Sequence, residues 1–192
     1  MEKMKKVLLL NFKGGVGKTL IADELLFKLE KDKIPTAYVN KDPQRSSIHD
    51  PFEDEDAIIK IIDTMGHVTE DFTDMIKEAD FVIVPTNMGP ADIKPLETMI
   101  QMLAKYESKK PILYVFNQWN RFSFAKEFIT YFNTAYPHIK TAILAQTESF
   151  KNAGKFGMSL EDYQPSNPAC KQIDYIYNSM KYELNLKDWR MA

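Results

Sequence analysis

A short glycine-rich segment near the start of the chain carries residues that could bind a polyphosphate. The segment consists of Lys13, Gly14, Gly15, Val16, Gly17, Lys18 and Thr19. Glycines let backbone N–H groups approach an anion without a Cβ in the way, and a helix N-terminus adds unpaired donors and partial positive charge. In a loop of this type, Lys18 would contact the β- and γ-phosphates of a nucleotide, and the Thr19 hydroxyl would coordinate Mg²⁺.

Such a loop needs a strand before it and a helix after it, and the sequence predicts both. The apolar run over 6–12 does not alternate, which is typical of a strand buried on both faces. After the loop, apolar residues recur at four-residue steps and predict a helix over 18–31. Its sheet-facing positions would be Ile21, Leu25 and Leu29. The charged positions expected to face outward are Asp23, Glu24 and Lys28.

The rest of the chain alternates between strand patterns and helix patterns. Further strands are predicted at 36–40, 58–62, 81–85, 111–117 and 139–144. Apolar spacing predicts helices between them, one capped by Thr69 and the last opened by Asn167 and Pro168. This alternation is typical of an α/β fold with a doubly wound, mainly parallel sheet and helices on both faces. We expect residues 1–192 to form a single domain.

Polar residues follow several of these strands. Asp42 and Asp63 follow the second and third strands, and Asn117 ends the fifth. Because ligands bind beyond the carboxyl ends of the strands in such sheets, these residues are expected close to the glycine-rich loop. Asp63 is predicted to hold Mg²⁺ through a water molecule, with a turn or helix cap as the alternative role. The polar, acidic segment 45–56 is expected to be a mobile surface loop.

Composition excludes several classes of protein. The net charge is −2, so any binding to nucleic acid would depend on a local basic patch. Cys170, the one cysteine, excludes an internal disulfide framework or a cysteine zinc site. His49, His67 and His138 are far apart in sequence and are expected on the surface or in loops. No stretch approaches the ~20 apolar residues of a membrane span, so the cytoplasm is the expected compartment.

The glycine-rich loop resembles that of one family in particular. Residues 13–19 match in full the deviant Walker A loop, KGGxxK[ST], of the P-loop ATPases of the ParA/MinD family. Phe12 stands where the general phosphate-loop pattern has a glycine. Residues 42–44 match the family's Asp-Pro-Gln segment, and residues 79–85 resemble its AD-x-V-I-x-P strand. The resemblance extends over about residues 6–184.

The resemblance implies roles for individual residues. Lys13, the signature lysine, would cross the interface of an ATP-bound homodimer and touch the partner's nucleotide. Asp42 would position or activate the attacking water. Thr19 and Asp63 would bind Mg²⁺. Asn117 would contact the adenine, and Pro165 would lie in a loop beside the base.

The chain departs from the family's pattern at two positions. The family often has a further aspartate two residues before its Asp-Pro-Gln aspartate, and here that position is Asn40. It usually has a second hydroxyl after the loop threonine, and here that position is Leu20. Leu20 would still lie at the nucleotide, but its side chain lacks the hydroxyl that would supply one expected hydrogen bond to the α-phosphate. These departures put a second carboxylate role in doubt and predict slow hydrolysis.

The function implied by the resemblance is that of a small ParA-type ATPase in plasmid or chromosome partition. It would bind Mg·ATP, form an ATP-dependent homodimer and hydrolyse ATP slowly until a small basic DNA-binding partner protein stimulates it. The dimer would bind DNA without sequence preference. Lysines and an arginine in the second half of the chain could serve this binding: Arg121, Lys126, Lys151, Lys155 and Lys171. No membrane binding is expected, because the ending 189–192 lacks a long basic amphipathic face.

Three other functions remain open at this stage. The first is a ParA/MinD-like ATPase that positions a conjugation complex, a polar-localisation complex or another cargo that is not DNA. The second is a P-loop small-molecule kinase or ligase. The third is a nucleotide-binding scaffold that does not hydrolyse ATP, which Asn40 and Leu20 make plausible. An iron–sulfur cluster bridging a dimer is disfavoured, since it needs more than one cysteine in each subunit.

Overall fold

The computed structural model describes residues 3–42, 47–67, 72–107 and 109–186. In this part of the chain the strands are β1 (Lys5–Leu9), β2 (Thr36–Asn40), β3 (Ile59–Asp63), β4 (Phe81–Thr86), β5 (Ile112–Trp119) and β6 (Lys140–Ala145). The helices are α1 (Lys18–Lys31), α2 (Phe72–Glu78), α3 (Pro90–Glu107), α4 (Ser123–Ala135), α5 (Glu148–Lys155), α6 (Leu160–Tyr163) and α7 (Pro168–Glu183).

The six strands form one parallel sheet in the order β2-β3-β1-β4-β5-β6. β1 lies between β3 and β4, with β2 and β3 on one side of it and β4, β5 and β6 on the other. The carboxyl end of β1 is therefore the topological switch point, where ligands bind in open α/β sheets. The prediction of a doubly wound parallel sheet is confirmed.

Helices cover both faces of the sheet, and each face has its own apolar core. On one face α1, α5, α6 and α7 pack against β1, β3 and β5 through residues such as Leu25, Ile61 and Ile173. On the other face α2, α3 and α4 pack through residues such as Leu96 and Phe128. Strands covered on both faces explain the apolar runs that do not alternate in the sequence.

The observed carboxyl ends of two strands, β1 and β5, differ from the ends predicted from the sequence. β1 ends at Leu9 rather than at residue 12, because the chain turns there and the Asn11 amide donates to the Pro85 carbonyl at 2.7 Å. β5 does not end at Asn117 but continues to Trp119, with an irregular pairing to β6 between Phe116 and Trp119.

Helices α5 and α6 were not predicted. Both are short, at 8 and 4 residues, so their apolar spacing gives little periodic signal. Each begins at a hydroxyl N-cap: Thr147 accepts from the Ser149 N–H, and Ser159 accepts from the Asp162 N–H. The prediction for the last helix is confirmed, since the Asn167 side chain caps it at the Ala169 N–H.

The prediction that α1 turns its charged residues to solvent is wrong for two of the three. Asp23 and Glu24 are only 4% and 5% exposed. Asp23 binds the segment that follows β2, and Glu24 accepts from the Leu160 N–H at the start of α6. The Lys28 side chain is only 12% exposed and pairs with Glu161 and Asp174. Contacts with distant segments, which local periodicity does not reveal, therefore cover faces of α1 that look polar.

The described part of the acidic segment, residues 47–56, is attached to the fold rather than loose on its surface. Ser47, Ile48 and His49 hydrogen-bond to α1, and Phe52 forms an antiparallel bridge with Tyr38 on β2. His49 is consequently held in a packed contact.

Some sequence-based predictions concern residues outside the described ranges. They are Pro43, Gln44, the Thr69 cap and the ending 189–192. Within the described ranges, none of the helices combines the length and the apolar character that crossing a lipid bilayer requires.

Candidate nucleotide site

The glycine-rich loop lies at the switch point, between β1 and α1. Gly17 is the N-cap of α1, with φ of 96°, and Gly15 has φ of 70°. Both are left-handed conformations that glycine adopts without steric cost. A Cβ on Gly17 would also lie 2.1 Å from the Asn117 amide nitrogen, so this position excludes any side chain. The helix begins at Lys18, within the glycine-rich segment, and presents its N-terminus to the cavity.

Lys18 is buried beneath the loop. Its ammonium donates to the backbone carbonyls of Asn11 and Lys13 at 3.4 and 3.2 Å. Burial lowers the pKa of Lys18, while the negative charges of Asp63 and Asp42 oppose that shift. These two long hydrogen bonds leave the cation poorly compensated, and the oxygens of a bound triphosphate would complete its coordination.

Thr19 and Asp63 form the pair expected of a magnesium site. The Thr19 hydroxyl donates to Asp63 Oδ2 at 2.6 Å, across 44 residues of sequence. Asp63 is completely buried, and its Oδ1 has no hydrogen-bond partner among the described residues. Burial raises the pKa of Asp63 to about 6, opposed by the Thr19 hydrogen bond and by the charge of Lys18. A buried carboxylate oxygen without a donor fits a hydrated cation at this position.

The protein donors alone do not make a complete metal site. In the described ranges, no group of three or more His, Cys, Asp or Glu side chains could hold a metal ion. Mg²⁺ characteristically takes one or two protein ligands and completes its shell with water and substrate phosphates. The Thr19–Asp63 pair therefore fits Mg²⁺ bound together with a nucleotide.

Asp42 lies at the same cavity, on the loop after β2. Its backbone N–H donates to Asn40 Oδ1 at 2.8 Å, which fixes the turn that carries the carboxylate. Asp42 is close enough to influence the pKa of both Lys18 and Asp63. Asn40, which stands where the resemblance expects an aspartate, thus has a structural role in orienting Asp42.

The cavity between these elements has a volume of about 400 Å³. The wall opposite the loop is formed by Ile48 and by α5, through Phe150, Lys151 and Gly154. Leu20 also lines the cavity. Larger cavities of about 480 and 610 Å³ lie elsewhere but contain no residue of the glycine-rich loop, so size alone does not identify the site.

Residues 47–49 are attached to α1 by the buried carboxylate of Asp23. Its two oxygens accept from the Ser47 hydroxyl at 2.6 Å and from the backbone N–H groups of Ile48 and His49 at 2.9 and 3.1 Å. The His49 ring nitrogen Nδ1 lies 2.8 Å from the same carboxylate. These contacts hold Ile48 against the cavity.

Five predicted site residues do not line the cavity: Val16 and Asp63 are buried, at 1% and 0% exposure, and three others lie apart from its wall. Lys13 turns away, and its ammonium pairs with the Asp92 carboxylate at 2.6 Å. Asn117 lies behind the loop, where its amide donates to the Val16 carbonyl at 2.9 Å. Pro165 is exposed in the turn before α7. The base contacts expected of Asn117 and Pro165 remain predictions.

Sequence reasoning missed several residues that shape the loop. Asn11 accepts from the Lys13 N–H at 2.8 Å, and Asp92 binds the Lys13 side chain. Gly66, on the turn after β3, approaches so closely that a Cβ there would lie 2.7 Å from the Gly14 backbone. Asn11 directly precedes the motif and could have been noticed. Nothing local indicates Asp92, which is 79 residues from its partner.

Structural comparison identifies solved structures of the same architecture, and three of them contain a bound adenine nucleotide or an analogue. A variant of Cyanothece McdA in complex with ATP has a TM-score of 0.76 at 14% identity, over 96% of this chain and 98% of that one. A putative plasmid partition protein from Borrelia burgdorferi B31 bound to AMPPNP has a TM-score of 0.66 at 14% identity, covering 93% and 100%. MinD from Pyrococcus horikoshii OT3 with Mg-ADP has a TM-score of 0.65 at 12% identity, covering 98% of both chains.

Identities this low establish a shared fold and nothing more. No curated protein sequence matches the chain. The sequence does match one family description, the CobQ/CobB/MinD/ParA nucleotide binding domain, over residues 7–160. That range contains the glycine-rich loop, Asp42, Asp63 and Asn117. The chain therefore belongs to the CobQ/CobB/MinD/ParA family of nucleotide-binding domains.

Proposed function

We propose that the chain is a ParA-type ATPase that dimerises with Mg·ATP and acts in plasmid or chromosome partition in the cytoplasm. The observation that carries this proposal is the Thr19–Asp63 pair beside Lys18, in a loop whose first lysine, Lys13, is turned away from its own cavity. Because Lys13 does not line the cavity of its own subunit, it could contact the nucleotide of a second subunit.

In this proposal different residues bind the nucleotide, bind Mg²⁺ and promote hydrolysis. Lys18 and the loop N–H groups hold the phosphates, while Thr19 and Asp63 hold Mg²⁺. When bound, Mg²⁺ neutralises charge that develops on the phosphate oxygens. Asp42 orients a water molecule in line with the γ-phosphate. Lys13 of each subunit reaches the partner's triphosphate. In other phosphoryl-transfer proteins, a cation supplied by a second protein chain accelerates the transfer by ~10³–10⁵.

The catalytic assignment is tested by ATP turnover in the presence of Mg²⁺ and water alone. We expect slow phosphate release by the parent protein and a loss of at least about 100-fold in Asp42→Ala, because the attacking water loses its positioning group. Asp50→Ala, an exposed aspartate in the same connection, is the matched control and should leave turnover unchanged. Turnover that requires an added acceptor metabolite would instead identify a kinase or ligase.

The dimer is tested by sedimentation of the Asp42→Ala protein, which retains ATP. We expect a shift from monomer to dimer when Mg·ATP is added. Lys13→Ala in the same background should remove the shift while leaving ATP binding within a few-fold, since Lys13 does not line its own cavity. The absence of a shift in the Lys13-containing protein would overturn the trans-lysine mechanism.

Partition further requires DNA and a partner protein. Arg121, Lys126, Lys151, Lys155 and Lys171 are all exposed in the structure. Non-specific binding by such residues displaces counterions, so the retention of DNA by the ATP-bound dimer should fall steeply with salt. A small basic DNA-binding protein should raise the rate of hydrolysis. Dimerisation without any retention of DNA at low salt would favour a cargo other than DNA.

A scaffold that binds ATP without hydrolysis is the second candidate, and Leu20 is the observation that favours it. Leu20 packs against the apolar core at the cavity, and its side chain can offer no hydrogen bond to an α-phosphate. Tight Mg·ATP binding with no phosphate release, even in the dimer with DNA present, would support this candidate.

A further inference from the structure

The Asn117 side chain is buried behind the glycine-rich loop, and both ends of its amide have partners. Nδ2 donates to the Val16 carbonyl at 2.9 Å, and Oδ1 accepts from the Gln118 N–H at 2.8 Å. Asn117 is only 4% exposed, and Gln118 has φ of 58°. The irregularity of β5 at this point turns the asparagine toward the loop instead of along the strand.

The contact with Val16 fixes the direction of one peptide group. A trans peptide is planar, and its carbonyl and N–H point in opposite directions. The described part of the chain contains no cis peptide bond. With the Val16 carbonyl held toward Asn117, behind the loop, the Gly17 N–H must point to the other side, where the cavity lies. That N–H is one of the donors that a loop of this kind offers to a phosphate.

Loss of the contact between Asn117 and Val16 would destabilise the orientation of the 16–17 peptide. The Val16 carbonyl faces a buried amide, and a buried polar group without a partner is unfavourable. Without Asn117, the 16–17 peptide would gain by rotating its carbonyl toward solvent in the cavity. That rotation places an acceptor where the anion needs a donor. The Asn117 amide also packs directly against Gly17, because a Cβ on Gly17 would collide with the Asn117 nitrogen.

A second asparagine makes a weaker contact of the same kind. Asn87, on the loop after β4, donates to the Gly15 carbonyl at 3.3 Å. By the same geometry this contact directs the Val16 N–H toward the opposite side. The longer distance and greater exposure make it the lesser of the two.

We infer that Asn117 is a positioning residue that keeps the 16–17 peptide in its anion-binding orientation, so that affinity for the triphosphate group depends on it whatever base is attached. This inference rests on the proposed binding of Mg·ATP. It differs from a contact between Asn117 and adenine, which would affect only ligands that carry the base.

The test compares two ligands, Mg·ATP and Mg·tripolyphosphate, which share the phosphate chain and differ in the nucleoside. Binding is measured by calorimetry for the parent protein and for Asn117→Ala. We expect the affinity for both ligands to fall by the same factor, about tenfold. Asn120→Ala is the matched control, because the Asn120 side chain accepts from the Phe122 N–H and does not touch the loop. It should bind both ligands as the parent does.

A second variant separates the loop contact from the turn in β5. Asn117→Asp keeps an oxygen to accept from the Gln118 N–H but replaces the donor to Val16 by an acceptor. We expect this variant to bind tripolyphosphate at least as weakly as Asn117→Ala. Binding equal to that of the parent would show that only the turn matters, and it would overturn the inference. Circular dichroism and thermal melting establish that each variant is folded.

The remaining outcomes are equally decisive. A loss for Mg·ATP alone, with tripolyphosphate unaffected, would mean that Asn117 acts on the base and would overturn the inference while leaving the proposed function intact. Unchanged binding of both ligands would overturn it as well. A parent protein that binds neither ligand would contradict the proposed function and, with it, this role of Asn117.

Discussion

The Lys13 ammonium lies 2.6 Å from the carboxylate of Asp92, a residue at the start of α3 in the same subunit. Asp92 is almost completely buried, and its second oxygen accepts from the Gly89 N–H at 3.0 Å. The lysine is about two-fifths exposed, so solvent weakens the pair. Within one chain Lys13 is therefore held by an ion pair that solvent weakens.

The first prediction concerns this ion pair. Asp92→Asn should make the proposed ATP-dependent dimer form more readily, roughly two- to tenfold in dissociation constant. In that proposal Lys13 must leave Asp92 before it can reach the partner's nucleotide, and the variant removes this cost. The asparagine can still accept from the Gly89 N–H. Sedimentation at several protein concentrations with a non-hydrolysable ATP analogue measures the effect. A weaker dimer would mean that Asp92 instead aims Lys13 at the partner.

The second prediction concerns the metal. Asp63→Asn keeps an acceptor for the Thr19 hydroxyl but removes the charge that, in the proposed site, attracts Mg²⁺. We expect the gain in ATP affinity on adding Mg²⁺ to fall at least about tenfold, whereas affinity without Mg²⁺ stays equal or rises because a buried negative charge is gone. Titrations with and without EDTA give both values. Asp80→Asn, on a carboxylate that caps the Lys6 N–H far from the site, is the control.

The third prediction concerns the close approach of Gly66 to Gly14. A methyl group on Gly66 would lie 2.7 Å from backbone atoms of Gly14, so the turn or the loop must move. We expect Gly66→Ala to weaken ATP binding by about tenfold or more, with a modest loss of thermal stability, since moving either segment costs about 1–3 kcal/mol. Parent-like affinity would mean that the two segments separate freely.

The fourth prediction concerns pH and the stability of the fold. Burial raises the pKa of Glu24 from 4.5 to about 7, opposed by the hydrogen bond from the Leu160 N–H. The folded protein then keeps a proton that the unfolded chain releases, so the free energy of unfolding should decrease as pH rises from about 4.5 to 7 and level off above.

Glu24→Gln tests this assignment, because a glutamine oxygen can still accept from the Leu160 N–H without carrying a charge. The variant should be more stable than the parent at pH 8, by about 2–3 kcal/mol, and the difference should shrink toward pH 5. Urea unfolding at several pH values measures the effect. A parallel pH dependence in both proteins would place the titrating group elsewhere.

The local sequence was sufficient to predict the fold and the centre of the site. The glycine-rich loop, the strand before it and the helix after it follow from glycine chemistry and apolar periodicity, which act over a few residues. Asp63 could be found because a strand of a parallel sheet delivers the residue at its carboxyl end to the ligand edge. The structure places it beside Thr19 as that rule requires.

Tertiary structure alone decided which polar side chains meet. Asp23 and Glu24 look like surface residues of a helix, yet segments far away in sequence cover them and use their oxygens. Asp92 meets Lys13, and Asn117 meets Val16, across 79 and 101 residues. A hydrogen bond between distant residues leaves no period in the sequence, because it depends on the path of the chain between them. The sequence therefore determined where the glycine-rich loop lies, and the packing of the chain determined how that loop is held.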